Sequence, residues 1–398
     1  MSEISNPIVR LKPKTLQAPI ERGYPWVYKN EVVLDRRTKA IKAGQIVQVQ
    51  SANRMPIATA AFNANSKITL RILDLRPNQS VDLSWITAKI KAALDLRERI
   101  FEEPFYRLVH AEADGLPGVI IDRFGDIFVI QPNAAWADRH FDMICKAVEA
   151  VVPVRTLIKN TSGRARKLEG LEGKSIVFKG KWPDAPIPVA MNGAIYMADL
   201  SHGQKTGLFF DQRQNHAFGA RLAKGARVLD VFSHVGGFGL AALAAGAKSA
   251  LAVDGSEAAL ELARQGAKAM GIESQFQSRK GDAFDVMAAL IEANSQYDVV
   301  ICDPPAFATS KKALDAGLRA YEKLARLAAS LVRDGGFLGL CSCSHAANLE
   351  KFRAASVRGI SRAGRSAALI HTGFAGADHP IHSQLAESGY LKALFFRL

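Results

Sequence analysis

Cysteine is scarce: four in 398 residues, too few for a disulfide framework and in keeping with a reducing compartment. None forms a Cys-x-x-Cys or a His/Cys cluster at zinc spacing, and Cys341-x-Cys343 is too tight for the usual zinc pair. No metal site is expected. No apolar run reaches about 18 residues, so no membrane span is expected. Met1–Lys14 lacks an apolar h-region, which predicts no signal peptide and a cytoplasmic setting. Acidic residues are in deficit, 38 Asp/Glu against 52 Lys/Arg, for a net charge of +14. Such an excess favours polyanions as partners, nucleic acid foremost. It is unevenly spread: residues 1–75 hold 12 Lys/Arg against 5 Asp/Glu.

What is present is ordinary globular material, 48% hydrophobic and 23% charged, in a length that suits two or three domains. Residues 1–75 read as short strands (Ile46–Gln50, Pro56–Ala60, Ile68–Leu73) separated by turn residues, a small β barrel or sandwich. Residues 76–190 open with an amphipathic helix, Trp85 to Phe101. A hairpin over Gly118–Gln131, a helix from Asp138 to Val151 and strands near Thr156–Lys159 and Ser175–Lys179 complete a β-β-α-β-β unit. Residues 191–398 alternate strands and helices. The strands are Arg227–Phe232, Ser249–Val253, Gln275–Arg279, Tyr297–Cys302, Phe337–Cys343, Ala367–His371 and Leu391–Arg397. That pattern predicts a doubly wound α/β sheet, mostly parallel, closed by a seventh, antiparallel strand.

The first of these strands runs into Ser233-His234-Val235-Gly236-Gly237-Phe238-Gly239 and an Ala-rich helix. The glycines let backbone approach a ligand, but the spacing is not the Gly-x-Gly-x-x-Gly that receives a dinucleotide pyrophosphate. Asp230, Asp254, Asp282 and Asp303 stand at the ends of strands one to four. Four acids suit a ligand bearing ammonium and sulfonium charges better than one bearing phosphates, and S-adenosylmethionine fits. Singly, each acid is equally readable as the N-cap of the following helix.

Two strand-end motifs bear on reaction type. Cys302-Asp303-Pro304-Pro305-Ala306-Phe307 puts an acid and an aromatic beside a flat ligand, as in methyltransferases that modify exocyclic amines. Cys341-Ser342-Cys343-Ser344-His345 adds a thiol. Methylating a nitrogen needs no thiol. Carbon 5 of a pyrimidine does, because it becomes nucleophilic only after a thiolate adds to carbon 6. Cys343 lies nearer the ligand end of its strand than Cys341, whereas Cys302 reads as core and Cys145 has no partner motif. The residues alone leave Cys343 open as nucleophile or structural thiol.

Over nearly its whole length the chain resembles the 23S ribosomal RNA 5-methylcytosine methyltransferase family. The strings that carry the resemblance are Glu21-Arg22-Gly23-Tyr24-Pro25-Trp26, Arg107–Gly118, Lys205-Thr206-Gly207, Asp211-Gln212-Arg213, the glycine loop, Asp303–Phe307, Ser342-Cys343-Ser344, Asp378-His379-Pro380 and Tyr390-Leu391-Lys392. The resemblance implies a PUA-like RNA-binding domain over 1–75, a β-β-α-β-β middle domain over 76–190 and a seven-stranded Rossmann-like methyltransferase domain over 191–398. It implies S-adenosylmethionine as cofactor, ribosomal RNA (23S) as partner, Cys343 as nucleophile and Asp303 as its catalytic companion. The cofactor set it implies comprises Phe210, Gln212, Arg213, Asp230, Phe232, Ser233, Gly236, Gly237, Phe238, Asp254, Ser256, Asp282, Ala283 and Asp303. The chain departs from the family at His234-Val235, where Tyr-Thr is common, and at Met191, where Glu is frequent. Pro305 stands where better-known RNA cytosine methyltransferases carry a second cysteine, leaving product release to another route or to Cys341.

The expected function is therefore methylation of a cytosine carbon 5 in 23S ribosomal RNA. The alternatives are N-methylation of guanine or adenine in RNA with Cys343 structural, and a non-catalytic RNA-binding assembly factor. In each, Lys and Arg of the first two segments would contact phosphates. RNA binding should then fall steeply as salt rises from about 50 to 200 mM, and a flat response in a filter-binding titration would contradict phosphate contacts.

Overall fold

The computed structural model describes residues 6–201 and 207–398. Lys205 and Thr206 of the family-like string lie outside the described residues. Two compact units form, one from residues 6–182 with 377–388, the other from 183–201 with 207–376 and 389–398. Among the described residues no helix is long and apolar enough to cross a membrane.

The second unit is built on a seven-stranded sheet: β1 (Arg227–Val231), β2 (Ser249–Asp254), β3 (Phe276–Lys280), β4 (Tyr297–Cys302), β5 (Val332–Ser342), β6 (Ala368–Gly373) and β7 (Lys392–Arg397). Its order is β3-β2-β1-β4-β5-β7-β6. β1 to β5 pair in parallel, and β7 is antiparallel to both its neighbours. The closing antiparallel strand is thus as expected. β1 and β4 are apolar runs buried on both faces, the state that parallel strands require because crossover helices cover them. Those helices are α1 (Arg213–Arg221), α2 (Gly237–Ala244), α3 (Glu257–Ala269), α4 (Ala283–Glu292), α5 (Leu314–Leu331) and α6 (Leu349–Arg362). Side-chain oxygens of Ser256, Asp282 and Asn348 cap α3, α4 and α6, each satisfying a backbone N–H that the first turn leaves orphaned. The strand order reverses between β1 and β4, and ligands of such sheets bind at the carboxyl ends there.

A hairpin precedes this sheet, Ile187–Met191 paired with Ala194–Ala198. Its turn, Asn192-Gly193, has φ of 55° and 74°, the positive angles of a type I′ connection that Asn-Gly favours. The strand reading above missed it, because Pro186 and Pro188 read as punctuation.

The first unit holds two five-stranded sheets. In one, Ile8–Arg10 pairs in parallel with Gln45–Gln50, and Pro56–Phe62, Ile68–Asp74 and Trp26–Tyr28 follow antiparallel. The other runs from Phe105–His110 through Val119–Phe124, Ile127–Pro132 and Thr156–Lys159 to Ile176–Lys179. Phe105–His110 is an additional strand ahead of the expected β-β-α-β-β order. The expected helix over 138–151 is two pieces, Ala135–Arg139 and Phe141–Val151, broken at His140. Leu83–Ile100 and Phe141–Val151 bury Trp85, Ile90, Ile144 and Val148 in one core with this sheet, and Ala61 and Leu73 of the other sheet join it. Arg71 ties the sheets, donating to Glu112 at 2.8 Å and Glu169 at 3.0 Å.

Arg97 is the most committed charge in this unit. Its side chain is fully buried, binds both carboxylate oxygens of Asp114 at 2.7 Å and donates to the Asp378 carbonyl at 2.9 Å. Removing one partner of a buried pair leaves the other charge uncompensated, at about 3–5 kcal/mol. Arg97→Met should lower stability by that order in urea unfolding, and a loss under about 1 kcal/mol would mean the pair is solvated.

Candidate active site at the carboxyl ends of β1, β4 and β5

The loop after β1 is conformationally unusual. Phe232 has φ of 62°, His234 48° and Gly236 82°. Positive φ at non-glycine residues is costly and collects at functional loops. Gly237, which opens α2, has no room for a side chain: an added Cβ would sit 2.7 Å from His216 Nε2. The His216 ring meets Phe238 edge-on at 4.5 Å and lies 6.2 Å from Tyr196, whose hydroxyl donates to the Gly237 carbonyl at 3.0 Å. Tyr196 and His216 thus buttress the glycine loop from behind. Burial pulls His216 down to about 3, so its imidazole is neutral.

Asp230 corrects the reading of four strand-capping acids. It lies within β1, fully buried, and accepts the Gly239 N–H of α2 at 2.8 Å. Asp254 ends β2, with one oxygen accepting from His234 N and the other from Ser256 N, each at 2.8 Å. Asp282 is the N-cap of α4, with both hydrogen bonds on Oδ1. The N-cap reading therefore describes Asp282, and backbone anchoring describes Asp230 and Asp254. Asp303 follows β4 directly.

One pocket gathers seven of the expected cofactor residues: Gln212, Asp230, Phe232, Ser233, Gly237, Phe238 and Asp303. It also takes in Tyr196, Leu208, Phe209, His216, His234 and Val235, which sequence reasoning left out or, for His234 and Val235, set aside as a departure. Their only signal was position on either side of the glycine loop and the Asp211-Gln212-Arg213 string. Phe210 and Arg213 are instead buried, the guanidinium 5.8 Å over the Phe210 ring. Gly236, Asp254, Ser256, Asp282 and Ala283 are not in the pocket wall. Gln212 Nε2, Asp230 Oδ1, Ser233 Oγ and His216 Nδ1 are buried here without a protein hydrogen-bond partner. Buried polar atoms are rarely left so, and four around one pocket fit a polar ligand such as S-adenosylmethionine.

The reacting motifs lie side by side. Cys302 pairs with Leu340 across β4 and β5, which sets Asp303 and Cys343 just past the ends of adjacent parallel strands. Ser342 and Ser344 are buried, whereas Cys343 between them is partly exposed. Ser342 Oγ donates to Tyr321 OH at 2.8 Å, Tyr321 OH and Ser344 Oγ are 2.8 Å apart, and Ser344 Oγ accepts Ala308 N–H at 3.0 Å. This hydroxyl chain staples the Asp-Pro-Pro loop to the cysteine loop. The other thiols are buried, and burial pushes each up: Cys145 to about 12, with Cys302 and Cys341 higher than free cysteine too. Phe307, expected to stack on a flat ligand, packs 4.9 Å from Tyr321 and 6.1 Å from Phe284. His345 is exposed, its ring 5.5 Å from Tyr390, and Tyr390 in turn donates to Asp211 at 2.6 Å.

Comparison with known proteins gives the same two parts. A PUA-like domain profile matches residues 9–75, and a profile for S-adenosylmethionine-dependent methyltransferases matches residues 180–397. Ribosomal RNA large subunit methyltransferase I of Aeromonas hydrophila is 33% identical over 94% of this chain and 96% of its own. That of Escherichia coli O1:K1 is 30% identical over 95% and 96%. A SAM-dependent methyltransferase fold from Streptococcus mutans superposes with a TM-score of 0.82 at 20% identity, covering 98% of this chain and all of that one. A second such structure, complexed with SAH, also has a TM-score of 0.82 at 20% identity, over 99% of this chain and all of that one.

Burial raises Asp230 to about 7, against two backbone donors that lower it, with Asp254 raising it further. The unfolded value is about 3.9, so between the two the folded chain keeps a proton that the unfolded chain releases. The stability tied to that proton is full below about pH 4 and lost as pH rises through about 7. Asp230→Asn is neutral throughout. Its stability advantage over the parent should widen up to about pH 7 and then level, by at most about 1.4 kcal/mol per pH unit. Urea midpoints with a pH-independent gap would contradict this.

Proposed function

Because the chain belongs to the ribosomal RNA large subunit methyltransferase I family of S-adenosylmethionine-dependent methyltransferases, we propose that it methylates carbon 5 of a cytosine in 23S ribosomal RNA, in the cytoplasm, through a covalent bond from Cys343 to carbon 6. The observation that carries this reading is the placement of Cys343: the one partly exposed thiol among four, at the end of β5 beside Asp303. Residues 1–75 and 76–190 are read as the parts that grip RNA, with residues 191–398 as the methyltransferase domain.

In this mechanism Cys343 Sγ, as thiolate, adds to carbon 6, and the ring electrons move to make carbon 5 an enamine-like nucleophile. Asp303, carrying a proton, donates to ring nitrogen 3 and accepts from the exocyclic amine, which favours cytosine and steadies charge in the adduct. S-Adenosylmethionine, when bound, supplies an electrophilic methyl group. Gln212, Asp230, Phe232, Ser233, Gly237 and Phe238 would hold it, with Asp303 at the seam between the cofactor and the base. A base then takes the carbon 5 proton, the carbon 6–sulfur bond breaks and the thiolate leaves. Cys341, buried and raised, is poorly suited to be that base. The packing of Phe307 against Tyr321 and Phe284 weighs against the N-methylation alternative, which needs that ring for the base.

Cys343→Ala should reduce methyl transfer to 23S ribosomal RNA by at least about a thousandfold while calorimetry still detects S-adenosylmethionine binding. Bisulfite mapping of the parent's product should find one cytosine protected. Methylation retained by Cys343→Ala would remove the covalent mechanism.

A further inference from the structure

Lys392 opens β7 directly opposite Ser342. It is followed in the strand by Ala393, Leu394, Phe395 and Phe396, and is only 5% exposed. Its Nζ donates to the Ser344 and Ala347 carbonyls, each at 2.8 Å. Those carbonyls span the loop that begins at Cys343. An ammonium has three N–H donors, so two carbonyls leave one over.

A charge is an expensive way to tie down two carbonyls. Taking an ammonium out of water costs several kcal/mol unless an opposite charge faces it, and a neutral amide would bind the same two acceptors. The loop is in any case already fixed from its other side by the Ser342–Tyr321–Ser344 hydroxyl chain. Tyr321 and Lys392 interact electrostatically with Cys343, and the other titratable groups nearby are Asp303 past the adjacent strand, Cys341 two residues before and His345 two residues after. Burial draws Lys392 down to about 8, and the negative charge that opposes this shift is Cys343. Lys392 therefore remains a cation at neutral pH beside the thiol.

We propose that Lys392 is a positioning residue for Cys343: it holds the cysteine loop through two carbonyls and turns its remaining N–H and its charge toward the thiol, so that Cys343 stands as a thiolate before RNA arrives. The thiol proton passes to solvent on ionisation, and no other reagent is consumed. The same cation stabilises Sγ again when the carbon 6–sulfur bond breaks. The proposal rests on reading Cys343 as the nucleophile.

The test uses the whole protein without RNA or cofactor. Alkylation of Cys343 by iodoacetamide is followed by mass spectrometry across pH. The parent's midpoint should lie below the about 8.5 of a free thiol, and His345→Gln should leave it there. Lys392→Gln keeps two donors but no charge. It should raise the midpoint by about one pH unit, a tenfold slower reaction at pH 7, while Lys392→Arg stays near the parent. A Lys392→Gln that folds, by circular dichroism, with the parent's midpoint would overturn the proposal. If that variant does not fold, a parent midpoint at or above about 8.5 would overturn it instead. Methyl transfer by Cys343→Ala judges the functional reading separately. A shifted midpoint with methylation retained sinks that reading alone, and an unshifted midpoint with methylation lost sinks only the role of Lys392.

Discussion

The parallel register of β4 against β5 governs the chemistry of this protein. Because Cys302 lies opposite Leu340, β5 runs two residues past the end of β4, and the first residues past the two ends, Asp303 and Cys343, share one rim of the sheet. A slip of one residue would turn every side chain of a strand to the other face, and Cys343 with it. The apolar burial of both strands forbids that slip: Val299, Val300, Leu338 and Cys341 are all inaccessible to solvent. The antiparallel β7 repeats the constraint from the far side of β5, its Leu394 opposite Leu340 and its Lys392 opposite Ser342. Packing of hydrocarbon thus sets the position of Cys343, the proposed nucleophile.

Around that rim the polar groups divide by what they are tied to. Those tied to backbone build the frame: Asp254 fastens the glycine loop, Asp282 starts α4, and Asp230 holds the first turn of α2. Those left without a protein partner, Gln212 Nε2, Asp230 Oδ1, Ser233 Oγ and His216 Nδ1, line a common pocket. Asp230 belongs to both groups, one oxygen structural and one open. An acid of this kind costs stability as long as it is charged and dry, which is tolerable only where something pairs with it during function.

Much of this was readable beforehand, for identifiable reasons. Long apolar runs such as Val228–Val231 and Val299–Cys302 announce central parallel strands, and Asp303 and Cys343 are conspicuous because each follows such a run. Phe105–His110 stayed hidden because Arg107 and His110 interrupt its apolar pattern; Arg107 is in fact neutralised by Asp122, 2.7 and 3.0 Å away, a partner fifteen residues on. Asp230 was misjudged since sequence gives a residue's place along a strand but not the helix N–H it will meet. Lys392 reads as a strand-end lysine bound for water, and only the carbonyls of Ser344 and Ala347, far away in sequence, make its burial possible. Local patterns reveal elements; partners supplied by distant segments decide what the exceptions mean.

The Ala377–Ser388 segment leaves the second unit after β6, takes part in the first unit and returns for β7. Within the first unit Asp378 accepts the Arg107 backbone N–H at 3.0 Å, its carbonyl accepts from Arg97, and its carboxylate holds His379 at 2.9 Å. The units are therefore joined by several strands of chain and not by a single tether. Genetic recombination cannot lift the methyltransferase sheet out as a self-contained cassette. A cut after β6 forfeits β7, the strand that pairs with β5, and retaining β7 brings along a stretch whose buried aspartate and histidine have lost their counterparts. An exchange of the first unit for that of another such protein would therefore have to carry residues 377–388 with it.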